Sequence, residues 1–260
     1  MRRLRALYAV IAVFVIAGIA LPAVSAGAPA APVQGLTPAG TASISTFSSN
    51  NWAGYGAVGA STKTVTSVSA AWVEPTLSCT SKTAIVVFWV GIDGMVSTAP
   101  SVEQVGTYGQ CSGGIASYAA WWEIYPVNDI QPISTVTVSP GDHFTASVTY
   151  STSTLKFAMK ITDTTTGATF TKHMAYAKAK RETAECIAER PSGSGGLFPL
   201  ANFGKATFTN CKATISGTNA AIGTFANVWE ITMASPSHNL AVPGALKSST
   251  TFTVTWKHYS

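Results

Sequence analysis

The chain has 260 residues, of which 47% are hydrophobic and only 10% are charged, and its formal net charge is +5. Three of the 16 basic residues lie in the first five positions, so the rest carries 13 basic and 11 acidic groups, a net charge of +2. This near-neutral balance argues against nucleic acid as a partner, because nucleic-acid-binding domains carry clustered positive charge. The length suits one large domain.

Residues 1–26 have the features of a secretory signal peptide. A basic start (MRRLR) precedes an apolar run, and Val24-Ser25-Ala26 has the small-x-small form of a cleavage site. We therefore expect a secreted, extracellular protein without membrane contact after cleavage, and an uncleaved membrane anchor is the alternative. Residues 27–45, rich in Ala, Pro and Gly, are expected to be a linker or short propeptide, and residues 46–260 the folded domain.

From residue 43 onward almost every segment is typical of a β-strand. Threonine and valine are frequent, and apolar and polar residues often alternate, as in half-buried strands. Residues 175–188 contain good helix formers, but their apolar side chains do not form one clean face. The predicted strands include 64–73, 84–89, 134–138, 143–150, 155–162, 168–175, 205–216 and 250–256. The pattern predicts an all-β protein, a two-layer antiparallel β-sandwich.

The four cysteines predict two disulfide bonds in a secreted chain. Three connectivities are possible, and we favour the two local pairs, Cys79 with Cys111 and Cys186 with Cys211. A zinc site is disfavoured, because there is no Cys-x-x-Cys and no histidine lies at ligand spacing from a cysteine. We expect no metal and no cofactor.

Carboxylate chemistry remains after other catalytic motifs are excluded. The chain contains no Gly-x-Ser-x-Gly, no His-Glu-x-x-His and no phosphate-binding or dinucleotide-binding loop. Strand alternation places Glu185 and Glu189 on one face and Cys186 on the other. A glutamate on a concave face can take a proton from water, and a fixed carboxamide can bind that water or an oxyanion.

Six short motifs occur in a recognisable order. They are SNNWAGY (49–55), WVGIDG (89–94), EQVGT (103–107), WWEIYP (121–126), TAECIAE (183–189) and FGKATFTN (203–210). Together they resemble the motifs of the glutamic peptidases, or eqolisins, which are secreted acid endopeptidases with a concanavalin A-like β-sandwich. The resemblance covers most of the domain and implies polypeptide substrates.

The resemblance implies a catalytic dyad of Gln104 and Glu185. Glu185 would be the general base that activates water, and Gln104 would stabilise the oxyanion, so both must be open to solvent. A glutamate with an ordinary pKa of about 4.3 suits acid conditions, and the basic residues near Glu185 would lower its pKa further. The residues expected to line or support the substrate cleft are Trp52, Trp89, Asp93, Glu123 and Tyr125.

Two positions depart from the family pattern, and both are cysteines. Cys186 stands where the family usually has tryptophan, and Cys211 stands where it usually has a small residue, which supports a bond between them.

Two other functions stay open. One is a β-sandwich glycosidase that uses Glu123 and Glu185, about 5 to 10 Å apart; the other is a non-catalytic module that binds carbohydrate or protein. A monomer is the default expectation.

Overall fold

The structure is a computed structural model that describes residues 43–260. The predicted signal peptide, and all but the last three residues of the predicted linker, lie outside the described residues. Residues 43–260 form 18 strands and one short 3₁₀ turn, Ile222–Thr224. Within this range, no helix is long and apolar enough to cross a membrane.

The strands account for most of the described chain. They are β1 (Ser43–Ser49), β2 (Trp52–Val58), β3 (Val65–Val73), β4 (Ala84–Ile92), β5 (Val102–Ser112), β6 (Ile115–Tyr125), β7 (Gln131–Ile133), β8 (His143–Ser151), β9 (Lys156–Asp163), β10 (Thr169–Met174), β11 (Thr183–Glu189), β12 (Ser192–Gly193), β13 (Gly196–Leu197), β14 (Lys205–Ile215), β15 (Thr218–Ala221), β16 (Asn227–Ala234), β17 (Asn239–Pro243) and β18 (Phe252–Trp256).

Sixteen strands form one continuous sheet that folds over on itself into two layers. Its main path runs β10-β9-β8-β3-β14-β18-β17-β16-β2-β11-β4-β5-β6-β7, with β1 on β16 and β15 on β14. All pairs are antiparallel except β1 with β16. Strands β3, β8, β9 and β14 pack across the core on β4, β5 and β11. The predicted all-β antiparallel sandwich is confirmed.

The core between the layers explains why the central strands lack alternation in their sequence. All nine residues of β4 and all seven of β11 are buried. One face of each strand contacts the opposite layer, where Phe88 packs edge-on against Phe203 at a centroid distance of 5.3 Å. The other face is covered by a second apolar cluster. Strand β4, covered on both faces, accordingly reads as one continuous apolar run, whereas β11 carries Glu185 and Glu189 on the face toward the second cluster.

Most of the predicted strands are present, but one segment differs from prediction. Residues 134–138 do not form a strand; the chain turns after β7, and Val136 is buried in the core from this turn segment. Composition suggested a strand here because a turn that packs into a core also needs apolar residues. Residues 175–188, which lack one clean apolar face, contain no helix, and β11 pairs on both sides, with β2 and β4. Strand β1 begins at Ser43, three residues before the expected domain boundary.

Two disulfide bonds join segments that are 32 and 25 residues apart in the chain. Cys79 bonds to Cys111, which ties the segment before β4 to β5. Cys186 bonds to Cys211, and this bond crosses the core from β11 to β14. These are the two local pairs that the sequence analysis favours.

Candidate active site

Four neighbouring strands align the predicted catalytic residues in one row. Glu185 on β11 lies opposite Gly91 on β4, Gly91 lies opposite Gln104 on β5, and Gln104 lies opposite Glu123 on β6. Residues directly opposite each other in antiparallel strands project from the same face of the sheet. Glu185, Gln104 and Glu123 therefore share one face.

Gly91 separates the two members of the proposed dyad. Because neighbouring strands lie about 4.8 Å apart, the backbones of Gln104 and Glu185 are about 10 Å apart across β4. Gly91 has no side chain of its own, but the space above it is filled: a Cβ there would lie 2.6 Å from Trp89 Cζ3 and 3.2 Å from Val102 Cγ1. A substrate chain can approach this backbone position closely only after these two side chains move.

The face that carries this row is lined with apolar and aromatic side chains. Trp52 and Trp89 make an edge-to-face contact with ring centroids 4.9 Å apart. Tyr125, at the end of β6, is half-buried and packs against the same cluster. The buried members of this cluster are Trp52, Ile85, Val87, Trp89, Met95, Val102, Tyr108, Trp121, Ile130, Ile187 and Ile231. The structure thus groups the predicted cleft aromatics around the row.

Glu123 holds the side chain of Gln104. The Gln104 Nε2 donates a hydrogen bond of 2.7 Å to Glu123 Oε2, and both residues are buried. A bond to a carboxylate is stronger than one between neutral groups. This bond fixes the orientation of the Gln104 carboxamide, because Nε2 can donate a hydrogen bond to the carboxylate and Oε1 cannot.

Glu189 lies beside the row but is not among the site residues that the sequence analysis names. Its Oε2 accepts a hydrogen bond of 2.9 Å from Trp89 Nε1, and its Oε1 accepts one of 3.0 Å from Asn51 Nδ2. Burial raises the pKa of Glu189 well above its ordinary value, and the nearby Glu123 raises it further. The sequence feature that indicates Glu189 is its position four residues after Glu185, because this spacing puts both side chains on one face of a strand.

Asp93 supports the site by fixing the start of β11. Its Oδ2 accepts hydrogen bonds from the amides of Lys180 and Arg181, and its Oδ1 accepts one from the amide of Glu182, each at 2.7 Å. Its backbone adopts a left-handed conformation (φ 71°), which aspartate tolerates better than most residues. The expected site-shaping role therefore has a concrete form: Asp93 anchors the segment that leads into Glu185.

Glu185 occupies a buried apolar environment. The residue has no exposed surface, and neither side-chain oxygen has a hydrogen-bond partner. Burial raises the pKa of Glu185 well above its ordinary value, and the charges of Asp93 and Glu103 raise it further, while the nearby Thr183 hydroxyl opposes the shift. The expected near-ordinary pKa is therefore wrong for this structure.

The expected effect of the neighbouring basic residues is also wrong. The Arg181 guanidinium lies 4.0 Å from the centre of the Tyr150 ring and donates a hydrogen bond to the carbonyl of Val65. Arg190 donates to the carbonyl of Asn50. These side chains are engaged elsewhere, so proximity in sequence does not place their charge beside Glu185.

Solvent does not reach the dyad in this structure. Gln104, like Glu185, has no exposed surface. The expectation that both side chains are open to water is wrong for the conformation described. Any reaction at this row requires the covering side chains to move.

The glycosidase alternative is disfavoured by the partner of Glu123. That carboxyl accepts the hydrogen bond from Gln104, and two strands stand between it and β11, so Glu123 and Glu185 are not neighbours in the sheet. Among residues 43–260, no group of three or more His, Cys, Asp or Glu side chains is placed to hold a metal ion.

Comparison with known families agrees with this geometry. The model of the peptidase A4 family matches residues 50–256. The chain belongs to the peptidase A4 family. This match includes all the site residues described above and confirms the predicted resemblance and, at the level of the family, the expected peptidase class.

Individual relatives of this A4-family chain are similar at modest identity. Aspergillopepsin-2 of Aspergillus niger is 33% identical over 133 residues, which are 50% of this chain and 46% of that protein. The chain thus matches about half the length of this relative.

Solved structures extend the similarity. A scytalido-glutamic peptidase bound to a transition state analog inhibitor has a TM-score of 0.67 and 26% identity, covering 80% of this chain and 98% of that one. SCP-B, an eqolisin in complex with the tripeptide Ala-Ile-His, has a TM-score of 0.63 and 25% identity, with the same coverage.

Proposed function

We propose that the protein is a secreted endopeptidase that works at acid pH through Gln104 and Glu185. The observation that carries this proposal is the register of β11, β4 and β5, which sets the two side chains on one face with only Gly91 between them. The complexes of the relatives support it, because a transition state analog and a tripeptide bind to proteins of the same fold.

The proposed reaction uses one water and no group from outside the chain. Once Trp89 and Val102 have moved aside, the substrate carbonyl lies over Gly91, and ionised Glu185 takes a proton from a water whose oxygen attacks the carbonyl carbon. The carbonyl π bond breaks and its electrons move to the oxygen, which accepts a hydrogen bond from Gln104 Nε2. When the carbonyl re-forms, the carbon–nitrogen bond breaks and Glu185 returns its proton to the leaving nitrogen.

Glu123 prepares Gln104 for this role. A carboxamide nitrogen carries two hydrogens, and the bond to Glu123 uses one of them. We assign a hydrogen of Gln104 Nε2 to the oxyanion when substrate is bound. Glu123 is then a positioning residue, because it acts on the reaction through Gln104.

The proton on Glu185 links catalysis to opening of the site. Burial favours the neutral carboxyl, so the pKa of Glu185 is raised while the site is covered. A neutral carboxyl cannot act as a base. Water must therefore enter before Glu185 ionises, and the ionised form appears at acid pH only when the pKa returns toward about 4.3.

Secretion is the second part of the proposal. The predicted signal peptide at 1–26 directs the chain to an oxidising compartment, and two disulfides are typical of proteins that fold there. Expressing the full chain in a secreting host and sequencing the N-terminus of the protein in the medium tests this. Recovery of the protein only in the cell pellet, with Met1 retained, would contradict it.

Activity is tested with denatured casein between about pH 2 and pH 5, with pepstatin present to inhibit aspartic peptidases. We expect Glu185→Gln to lower kcat by about 10² to 10⁴-fold, the usual contribution of a general base. We expect Gln104→Ala to lower it by about 10² to 10³-fold, the usual cost of losing an oxyanion donor.

The matched control is Asp129→Asn, which also neutralises a carboxyl but at an exposed position outside the site. It should cleave casein at the wild-type rate. Cleavage by Glu185→Gln at the rate of this control would overturn the proposed dyad.

A further inference from the structure

Met95 fills the space next to Glu185 on the side away from Gln104. The row continues from Glu185 to Gly56, which lies opposite it on β2. A Cβ atom placed on Gly56 would lie 2.1 Å from Met95 Sδ and 2.7 Å from Met95 Cε. The thioether therefore occupies the position that a side chain at residue 56 would take, and Met95 is 1% exposed.

We propose that Met95 determines which substrate side chain is accepted beside Glu185. This inference rests on the proposed function and deepens it. Gly91 and Gly56 are two strand intervals, about 10 Å, apart. A peptide that crosses the strands with its scissile carbonyl over Gly91 therefore places a residue about three positions along, on the Glu185 side, over Gly56. The side chain of that residue must share the space with Met95, so the size of residue 95 sets the size of the subsite.

The space over Gly91, in the middle of the row, is also filled by side chains. A Cβ on Gly91 would lie 2.6 Å from Trp89 Cζ3 and 3.2 Å from Val102 Cγ1, so both groups must move aside before a carbonyl can lie there. The Trp89 indole moves as one planar unit and has a hydrogen bond to Glu189 to break. Methionine, in contrast, has an unbranched side chain with a polarisable sulfur and adapts to irregular partners, so the space over Gly56 can fit substrate side chains of different size.

The loop that carries Met95 is held close to the sheet. The Gly94 amide donates a hydrogen bond of 2.9 Å to the carbonyl of Ala99, and Thr98 Oγ1 donates one of 2.9 Å to Glu182 Oε2. Gly94 has a φ of 104°, and a Cβ there would lie 2.9 Å from Trp52 Cη2. The backbone at Gly94 thus has little room to shift, so side-chain size at residue 95 is what varies the space over Gly56.

Peptide series with one residue varied at a time, at the three positions on each side of the cleaved bond, test the proposal. The measurement is the ratio of kcat/KM for phenylalanine to that for alanine at each position. We expect Met95→Ala to raise this ratio at least about tenfold at one position, because filling or emptying an apolar pocket by a few heavy atoms changes selectivity by about 10 to 200-fold.

Two variants serve as controls. Met95→Leu conserves volume and should keep the wild-type ratio at every position. Val96→Ala shortens the neighbouring, half-buried side chain of the same loop, whereas the atoms nearest to a Cβ on Gly56 belong to Met95 and Ala184. It should also leave the ratio unchanged. Thermal unfolding of each variant checks that it is folded. If Met95→Ala does not fold, Met95→Val should raise the ratio at the same position by a smaller factor.

The outcomes separate the two proposals. If the wild-type protein cleaves the peptides and folded Met95→Ala gives the same ratios, the role of Met95 is overturned and the peptidase proposal stands. Where Met95→Ala does not fold, the same comparison is made with Met95→Val. An equal shift in Val96→Ala also overturns the role of Met95, because the effect would then belong to the loop as a whole. No cleavage of any peptide by wild type or Val96→Ala overturns the proposed function itself, and this inference with it.

Discussion

The Gln104 carboxamide donates its Nε2 hydrogen bond to Oε2 of Glu123, 2.7 Å away on the neighbouring strand. The pair is buried, and the two residues are directly opposite in the β5–β6 register. A carboxylate that is 19 residues away in the chain thus orients the group proposed to stabilise the oxyanion. The consequence can be measured.

Glu123→Gln should lower kcat about tenfold. The substitution keeps an oxygen acceptor for Gln104 but removes the negative charge, and the net difference between charged and neutral hydrogen bonds is about 1 to 1.5 kcal/mol. That energy corresponds to about a tenfold change in rate. Steady-state kinetics on a peptide substrate give the result, with KM expected to change little. An unchanged kcat would show that Glu123 does not position Gln104.

Asp93→Asn should destabilise the fold by about 1 to 3 kcal/mol, the cost of leaving a buried donor without its acceptor. Asparagine tolerates the left-handed backbone of Asp93 but has one acceptor oxygen where aspartate uses both. Urea unfolding at neutral pH measures the change, because burial raises the pKa of Asp93 and protonation in acid would remove one of its acceptor oxygens. Asp129→Asn, at an exposed position, should stay within the error of wild type, and equal stabilities for the two variants would contradict the anchoring role.

Stability should fall as pH rises from the acid range toward neutral. Burial raises the pKa of Glu103, Glu185 and Glu189 well above their ordinary value, and raises that of Glu74 from 4.5 to about 8. Between the unfolded and folded pKa values the folded state binds more protons, so the free energy of unfolding decreases with pH. This stabilisation is complete below about pH 4 and, for Glu74, is lost by about pH 8.

Urea unfolding at about pH 4 and at about pH 8 tests this dependence. Glu74→Gln removes one of the raised carboxyls, and both side-chain oxygens of Glu74 lack hydrogen-bond partners. The variant should therefore lose less stability between the two pH values than wild type does. The opposite slope in wild type, with stability rising toward neutral pH, would contradict the assignment of these buried carboxyls.

Removal of the Cys186–Cys211 disulfide should reduce stability but spare activity. The bond spans 25 residues and the Cys79–Cys111 bond spans 32, so each should contribute about 3 to 4 kcal/mol by restricting the unfolded chain. Strand β11 stays paired with β2 and β4 without the bond, so Glu185 keeps its position. Urea unfolding and kcat of Cys186→Ala/Cys211→Ala, compared with Cys79→Ala/Cys111→Ala, measure both effects.

A loss of activity in Cys186→Ala/Cys211→Ala alone, with both double variants folded, would contradict this expectation. It would mean that the disulfide next to Glu185 sets the geometry of the carboxyl as well as the stability of the fold.

The sequence by itself determined the fold class and the candidates for the site. Alternation in strands such as β9 and β14 depends only on neighbouring residues, so it is readable without coordinates. The turn at 163–167 is local in the same way, and its Asp163 does accept the hydrogen bonds of a tight turn. Resemblance of short motifs identified the family and named Gln104 and Glu185 as the candidate dyad.

Only the tertiary structure decided how these residues meet. Register between β11, β4, β5 and β6 is a property of strands far apart in the chain, and it put Gly91 between the dyad members and Glu123 against Gln104. Packing from a loop put Met95 over Gly56. Burial reversed the expected direction of the Glu185 pKa shift, because desolvation depends on everything that surrounds a carboxyl in space, whereas the sequence shows only its neighbours along the chain.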